Sequence, residues 1–248
     1  MKKIKDIDVA NKKVIVRVDY NVPIINGRIL DNNRIVASLE TINYLLSKNA
    51  KIILMSHLGK IKTKSDLEAN SLKPVRDELS ILLHKDIKFS STLKGKELDD
   101  LVNNLNPGDI LLLENTRYMD YPDKLESNCD IELSKYWASL GDVYILDAFA
   151  SSHRRHASTV GIPSYLPHAV GFLVERELQE LDEIKKENKT LLLGGAKVDD
   201  KLSLIEYLLP TSDKILLGGR MCATFIKSEG YEVGKTETND ALLDKCKE

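Results

Sequence analysis

The 248-residue chain predicts an α/β fold built on a mainly parallel sheet. Short apolar runs of the kind that fill strands buried on both faces recur along it, and stretches with helical spacing lie between them, as in repeated β-α-β units. The residues directly after those runs are carboxylates, amides and cations, on the edge where open α/β sheets bind ligands.

The first strand is predicted over Val14 to Val18 and ends on Asp19 and Asn21; a helical stretch, Arg34 to Leu46, follows. The second strand, Ile52 to Met55, leads to His57 and Lys60, and the next helical spacing covers Pro74 to Leu83. A third strand, Ile110 to Leu113, runs into Glu114, Asn115 and Arg117. After a helix over Cys129 to Ser139, the strand Val143 to Leu146 leads to Asp147, His153 and Arg154, in a segment with two histidines and two adjacent arginines. Further on, Leu191 to Leu193 passes through Gly194 and Gly195 toward Lys197 and Lys201, while Ile215 to Leu217 enters Gly218-Gly219-Arg220. Another strand is expected near Glu232 to Gly234, and Asn239 to Glu248 reads as an amphipathic helix without a capping signal.

Composition narrows the function classes. With 42% hydrophobic and 30% charged residues, the chain suits one large or two smaller globular domains. A net charge of −2 argues against a general nucleic-acid binder, so a cationic site must be local. No apolar run approaches the roughly 20 residues of a membrane span, and Met-Lys-Lys leads into no signal-peptide core, so a cytoplasmic protein is expected. Cys129, Cys222 and Cys246 are far apart and form no Cys-x-x-Cys; they are expected to be inert thiols, with no structural zinc. Lys62, Lys64, Lys185, Lys186 and Lys189 read as solvated surface.

Parallel strands put their carboxyl ends on one side, so the loops bearing Asp19, Asn21, His57, Lys60, Arg117 and Arg154 can converge on a small, multiply anionic ligand. Any one of these residues has an ordinary reading as a turn former or structural histidine; the shared chemistry of several loops points to a site. In the second constellation, glycines let backbone amides approach phosphate, and Lys197 and Lys201, four apart, are expected on one helical face reaching a polyphosphate. It is not a P-loop, and Gly-Gly would serve equally in a tight strand-to-helix turn.

Seven segments in order resemble the motifs of the phosphoglycerate kinases: Arg17-Val-Asp-Tyr-Asn-Val-Pro23, Asp31-Asn-Asn-Arg34, Ser56-His-Leu-Gly59, Leu113-Glu-Asn-Thr-Arg-Tyr118, Asp147-Ala-Phe149 with Ser152-His-Arg154, Gly171-Phe-Leu-Val-Glu-Arg-Glu-Leu178 and Gly194-Gly-Ala-Lys-Val-Asp-Asp-Lys201. The resemblance implies phosphoryl exchange between ATP and 3-phosphoglycerate by a monomer of two α/β domains facing across a cleft. It implies a Rossmann-like, three-layer parallel-sheet substrate domain over 1–170, an interdomain helix over 171–188 and an incomplete nucleotide-binding domain over 189–248. By the same resemblance Arg34 and Lys197 are catalytic, while Asp19, Asn21, Arg34, His57, Lys60, Arg117 and Arg154 bind 3-phosphoglycerate. Gly194, Gly195, Lys197, Lys201, Gly218 and Gly219 would bind the nucleotide. Mg2+ would accompany ATP or ADP, although the family's magnesium-holding aspartate belongs to a part that this chain lacks.

Two departures stand out. Lys60-Ile61 replaces the family's Arg-Pro, which keeps the charge and loses bidentate geometry, and Arg220 stands where a small residue is usual. Family chains are considerably longer, so the sequence allows either a shortened phosphoglycerate kinase of glycolysis or a non-catalytic phosphoglycerate-binding module that has lost nucleotide function.

Overall fold

The computed structural model describes residues 1–183 and 189–248. The chain divides into two compact units, Met1–Glu177 and Leu178–Glu248.

The first unit opens with β1 (Lys13–Val18), the antiparallel hairpin β2 (Ile24–Ile25) and β3 (Arg28–Ile29), then α1 (Asn33–Ala37) and α2 (Leu39–Ser47). It continues through β4 (Lys51–Met55), α3 (Ser65–Ala69), α4 (Lys73–Leu83), β5 (Lys88–Ser90), α5 (Lys96–Asn103), β6 (Ile110–Leu113), α6 (Ile131–Ser139), β7 (Val143–Asp147) and β8 (His168–Val170). The helix α7 (Phe172–Glu183) leads into the second unit; of the helix expected over 171–188, positions 184–188, including Lys185 and Lys186, lie outside the described residues.

Six strands form one sheet in the order β5-β6-β4-β1-β7-β8, and every neighbouring pair is parallel. The order reverses beside β1: β4 pairs on one side and β7 on the other, which opens a crevice at the carboxyl end of β1. Side chains alternate between two buried layers. Val14, Val16, Ile52 and Leu54 pack with Ile42 and Leu45 of α2 and Val75 and Leu79 of α4, whereas Ile15, Ile53, Leu111 and Leu113 pack with Leu98 of α5 and Leu133 and Trp137 of α6. Both faces being covered, the central strands read as unbroken apolar runs.

The differences from expectation are local. The helix over Arg34 to Leu46 is broken at Ser38, whose hydroxyl donates to the Ile35 carbonyl at 2.7 Å and meets the Tyr20 hydroxyl at 2.9 Å. Helix α6 starts at Ile131 because Asp130 caps it, accepting from the Leu133 amide at 2.8 Å. The short strands β5 and β8 escape sequence reading because they are three-residue edge strands carrying Lys88 and His168.

Asp147, at the end of β7, anchors the start of α7 by accepting from the Leu173 amide at 2.9 Å. A Cβ at Gly171 would fall 2.3 Å from that carboxylate oxygen, so only glycine fits the approach. Burial pushes the Asp147 carboxyl up to about 6; hydrogen bonding from Thr41 and the backbone amides of Val174 and Leu173 pulls the other way and loses. A folded-state pKa above the unfolded one means that the folded protein holds the extra proton, so this group's contribution to stability falls as pH rises from about 4 to about 6. Asp147→Asn should therefore gain stability relative to the parent across that window, by about 3 kcal/mol at full ionisation. Urea unfolding of both proteins at pH 4 and pH 7 checks this; a pH-independent difference would refute it.

The second unit holds β9 (Lys189–Gly194), α8 (Asp199–Leu208), β10 (Ser212–Gly218), α9 (Cys222–Ser228) and α10 (Leu243–Lys247). The two strands pair in parallel, and Val198, Leu202, Ile205 and Met221 form a small core against one face. On the other face Leu192 and its partner Leu216 stand 77% and 51% exposed. Lys189, expected in solvent, is half-buried and donates to the Thr211 hydroxyl at 2.7 Å. Glu232 to Gly234 form no strand: Gly234 takes φ +60° and the Thr236 amide turns back to the Val233 carbonyl. The terminal helix is shorter than expected and its approach is capped, Asn239 accepting from the Ala241 amide at 3.2 Å.

Candidate anion-binding site

The loops after β1, β4 and β6 are laced together by short polar contacts. The Tyr20 amide donates to Ser56 Oγ at 2.8 Å, and the Gly59 amide donates to Asn21 Oδ1 at 2.9 Å. Asn115, fully buried, accepts from the Leu58 and Arg117 amides and donates to the Leu58 and Asn70 carbonyls. Its hydrogen-bonding capacity is committed to backbone, which makes it a clamp between loops. Glu114 is committed likewise, accepting from Ser71 Oγ at 2.7 Å and the Leu72 amide at 2.8 Å at the start of α4.

What these clamps position is cationic. Arg17 leaves the end of β1 fully buried, with Nη2 3.1 Å from Nδ1 of His57. The nearest approach of Arg117 to a carboxylate is 3.9 Å, at Asp120, and its buried Nε–H has no hydrogen-bond partner. Burial, with the charges of Arg17, Arg117 and Arg154 and the nearby His156, drives the His57 pKa down to about 2. Burial, then Arg117 and Arg17, takes His156 to about 4. Both rings are therefore neutral at pH 7, held so by burial first and then by cations that would welcome an anion.

Four of the expected residues line two separate clefts of this unit, and Asn21, His57 and Arg154 line neither. Lys60 shares a cleft of about 520 Å³ with Arg117, Lys62 and Lys124. Asp19 and Arg34 line another of about 400 Å³ with Phe149, Leu173 and Glu177. Asp19 pairs with Arg34 Nη1, and its other oxygen accepts from the Asn21 amide at 3.2 Å. Arg154 is exposed, yet close enough for its charge to act on His57 and His156.

Three buried polar residues were not expected in the site's support: Arg17, Glu126 and Ser158. Arg17 carried a signal, since a charged residue inside an apolar strand is seldom buried without a partner. Glu126 and Ser158 lie in segments with no periodicity, and only the fold brings them beneath β1.

In the second unit Gly194 and Gly218 pair at the ends of β9 and β10. Gly219 takes φ +71°, and a Cβ there would lie 2.8 Å from the Gly195 carbonyl oxygen, so this close crossing of loops requires glycine. Lys197 and Lys201 do not share a helical face: α8 begins at Asp199, leaving Lys197 in the turn before it. Lys197 lines a cleft of about 220 Å³ with Asp199, Arg220, Thr224, Glu237 and Asn239, and Lys201 does not line it. Arg220 reaches over the loop, with Nε 3.4 Å from the Ala196 carbonyl and Nη1 3.1 Å from Glu237. Among the described residues no group of three or more His, Cys, Asp or Glu could hold a metal ion. Nor among them is any helix long and apolar enough to cross a membrane.

Residues 4–248 match the family described as "Phosphoglycerate kinase". The chain belongs to that family. It is 50% identical over 250 residues to the phosphoglycerate kinase of Enterococcus faecalis, covering 99% of this chain and 63% of that protein. To the phosphoglycerate kinase of Fusobacterium nucleatum it is 51% identical over 255 residues, covering 100% of this chain and 64% of the relative. Among solved structures, phosphoglycerate kinase from Coxiella burnetii superposes with a TM-score of 0.85 at 33% identity, over 99% of this chain and 61% of that one. The Pyrococcus horikoshii phosphoglycerate kinase gives a TM-score of 0.81 at 30% identity. The chain thus spans somewhat less than two thirds of the length of these phosphoglycerate kinases.

Proposed function

We propose that the chain carries the 3-phosphoglycerate side of a phosphoglycerate kinase, exchanging a phosphoryl group between ATP and the carboxylate of 3-phosphoglycerate. The observation that carries this reading is the gathering of Arg17, His57, Arg117, Arg154 and His156 beside the reversal of strand order at β1. His57, Arg117, Arg154 and Lys60 take the substrate's fixed phosphate, and Asp19 and Asn21 take its hydroxyl. Arg34 pins the attacking carboxylate. That carboxylate is already a nucleophile, so no general base is required, and the protein's contribution is alignment and charge compensation. Lys197, with Gly194, Gly195, Lys201, Gly218 and Gly219, serves the ATP or ADP phosphates on the second unit. Magnesium would enter with the nucleotide; among the described residues no group of three or more His, Cys, Asp or Glu is placed to hold it. We place the protein in the cytoplasm, as a monomer acting on small molecules.

A second reading, a phosphoglycerate-binding module without nucleotide function, is favoured by Arg220 lying across Ala196 and tied to Glu237. One assay separates the two: ATP- and Mg2+-dependent phosphorylation of 3-phosphoglycerate by the 248-residue chain, coupled to excess dehydrogenase. Turnover well above a Lys197→Ala control is the expected result for the kinase. A folded chain that binds 3-phosphoglycerate without turnover leaves the second reading.

A further inference from the structure

Arginine donates hydrogen bonds and accepts none, so a guanidinium nitrogen 3.1 Å from Nδ1 of His57 requires a lone pair on that ring nitrogen. The single ring proton then sits on Nε2, and the ring is left as a neutral donor. Arg17 is itself held from below. Its Nε donates to Ser158 Oγ at 2.9 Å, that hydroxyl donates to Glu126 Oε1 at 2.5 Å, and the Ser158 amide donates to Glu126 Oε2 at 3.0 Å. The Tyr144 hydroxyl fixes the same residue through the Ser158 carbonyl at 2.7 Å. Ser158 lies in a π-helical turn, Ala157–Gly161, the kind of helical irregularity that recurs at functional sites. Arg17, Ser158 and Glu126 are all fully buried.

We propose that Glu126, Ser158 and Arg17 form a buried relay that holds His57 as an Nε2–H donor at the anion site, with Glu126 as its positioning residue. The phosphoglycerate part of this proposal rests on the function proposed above; the relay does not. Buried ion pairs are often replaceable by apolar residues without loss of stability, so a structural role alone gives no reason for a hydroxyl between the two charges and a histidine at the end. The groups facing His57 are Arg17 from β1, Arg117 from the loop after β6, and Arg154 and His156 from the segment after β7. Glu126 reaches Arg17 through Ser158 and also lies 3.8 Å from Nδ1 of His156, and Asp120 lies against Arg117. With Glu126 neutralised, the Ser158 hydroxyl loses its anionic acceptor and Arg17 its buried counter-charge, which leaves the guanidinium tied to the Val18 carbonyl and Ser158 Oγ but less tightly fixed beside Nδ1.

The test is two-bond 1H–15N correlation on the 15N-histidine-labelled chain between about pH 5.5 and 8, with His57 assigned through His57→Gln. The relay predicts one neutral His57 tautomer, protonated on Nε2, that does not titrate in this range. Glu126→Gln should give mixed tautomers or a titrating His57 and weaken 3-phosphoglycerate binding about tenfold, the lower end of what losing an outer partner costs a metal-ligating histidine. Ser158→Ala, which keeps both charges and removes only the bridging hydroxyl, should move both readouts the same way by less, and it decides the matter if Glu126→Gln fails to fold. A proton on Nδ1 in the parent, titration near 6.5, or folded variants with the parental tautomer and affinity would overturn the relay. If the tautomer behaves as expected and 3-phosphoglycerate shifts no histidine signal, the relay stands and the phosphoglycerate reading falls.

Discussion

Arg34→Ala is expected to lower turnover about a thousandfold in the coupled assay while leaving the fold intact, the scale on which removal of a charge-compensating arginine acts in phosphoryl transfer. The side chain is 47% exposed, one residue into α1, so little packing is lost with it. Its ion-pair partner Asp19 is only 8% exposed and is left with the Asn21 amide, which orients the carboxylate without neutralising it. The loss should therefore fall mainly on kcat, with a smaller cost in urea unfolding from the Asp19 charge left un-neutralised. Arg34→Lys should recover only part of the rate, because an ammonium keeps the charge and loses the planar fork. A residual rate within tenfold of the parent, from folded protein, would remove Arg34 from the catalytic role.

Trp137→Ala should cost the first unit about 3–5 kcal/mol, a large part of the 5–15 kcal/mol typical of a domain. Trp137 heads the fully buried side chains by volume, and its indole N–H donates to the Leu93 carbonyl at 2.8 Å, tying α6 to the segment that follows β5. Alanine leaves a cavity between α5, α6 and the sheet, and a buried carbonyl without its donor. Trp137→Phe should lose less, since it restores most of the volume but not the N–H. Because the chain has one tryptophan, its fluorescence in the parent follows the first unit alone, and far-UV circular dichroism must replace it in the variants. A loss below about 1 kcal/mol for Trp137→Ala would mean that this layer repacks freely.

The strands carrying the site were legible because the central ones are covered on both faces: Val14 to Val18 and Ile110 to Leu113 admit no polar position except Arg17. The edge strands were not, because β5 and β8 each pair with a strand on one side only, β8 meeting a single bridge at Lys3 on the other, and both carry polar residues. Helical spacing found α2, α4 and α6 but not the break at Ser38, where the hydroxyl bonds the Ile35 carbonyl and meets the buried Tyr20 hydroxyl from the loop after β1. Likewise the spacing of Lys197 and Lys201 suggested a shared helical face, and the start of α8 at Asp199 separated them.

What the sequence determined by itself was the α/β alternation, the chemistry at the strand ends and, through its ordered motifs, the family. Tertiary structure decided the division of labour within that chemistry. Asn115 and Glu114 spend their hydrogen bonds on backbone, while Arg117 keeps an Nε–H unpaired. His57 is neutral because burial and three arginines from separate segments act on one ring. Glu126 meets Arg17 through Ser158 across sequence separations of 32 and 141 residues. Periodicity reports burial along one element; hydrogen bonding and desolvation are set by neighbours that only the folded chain supplies.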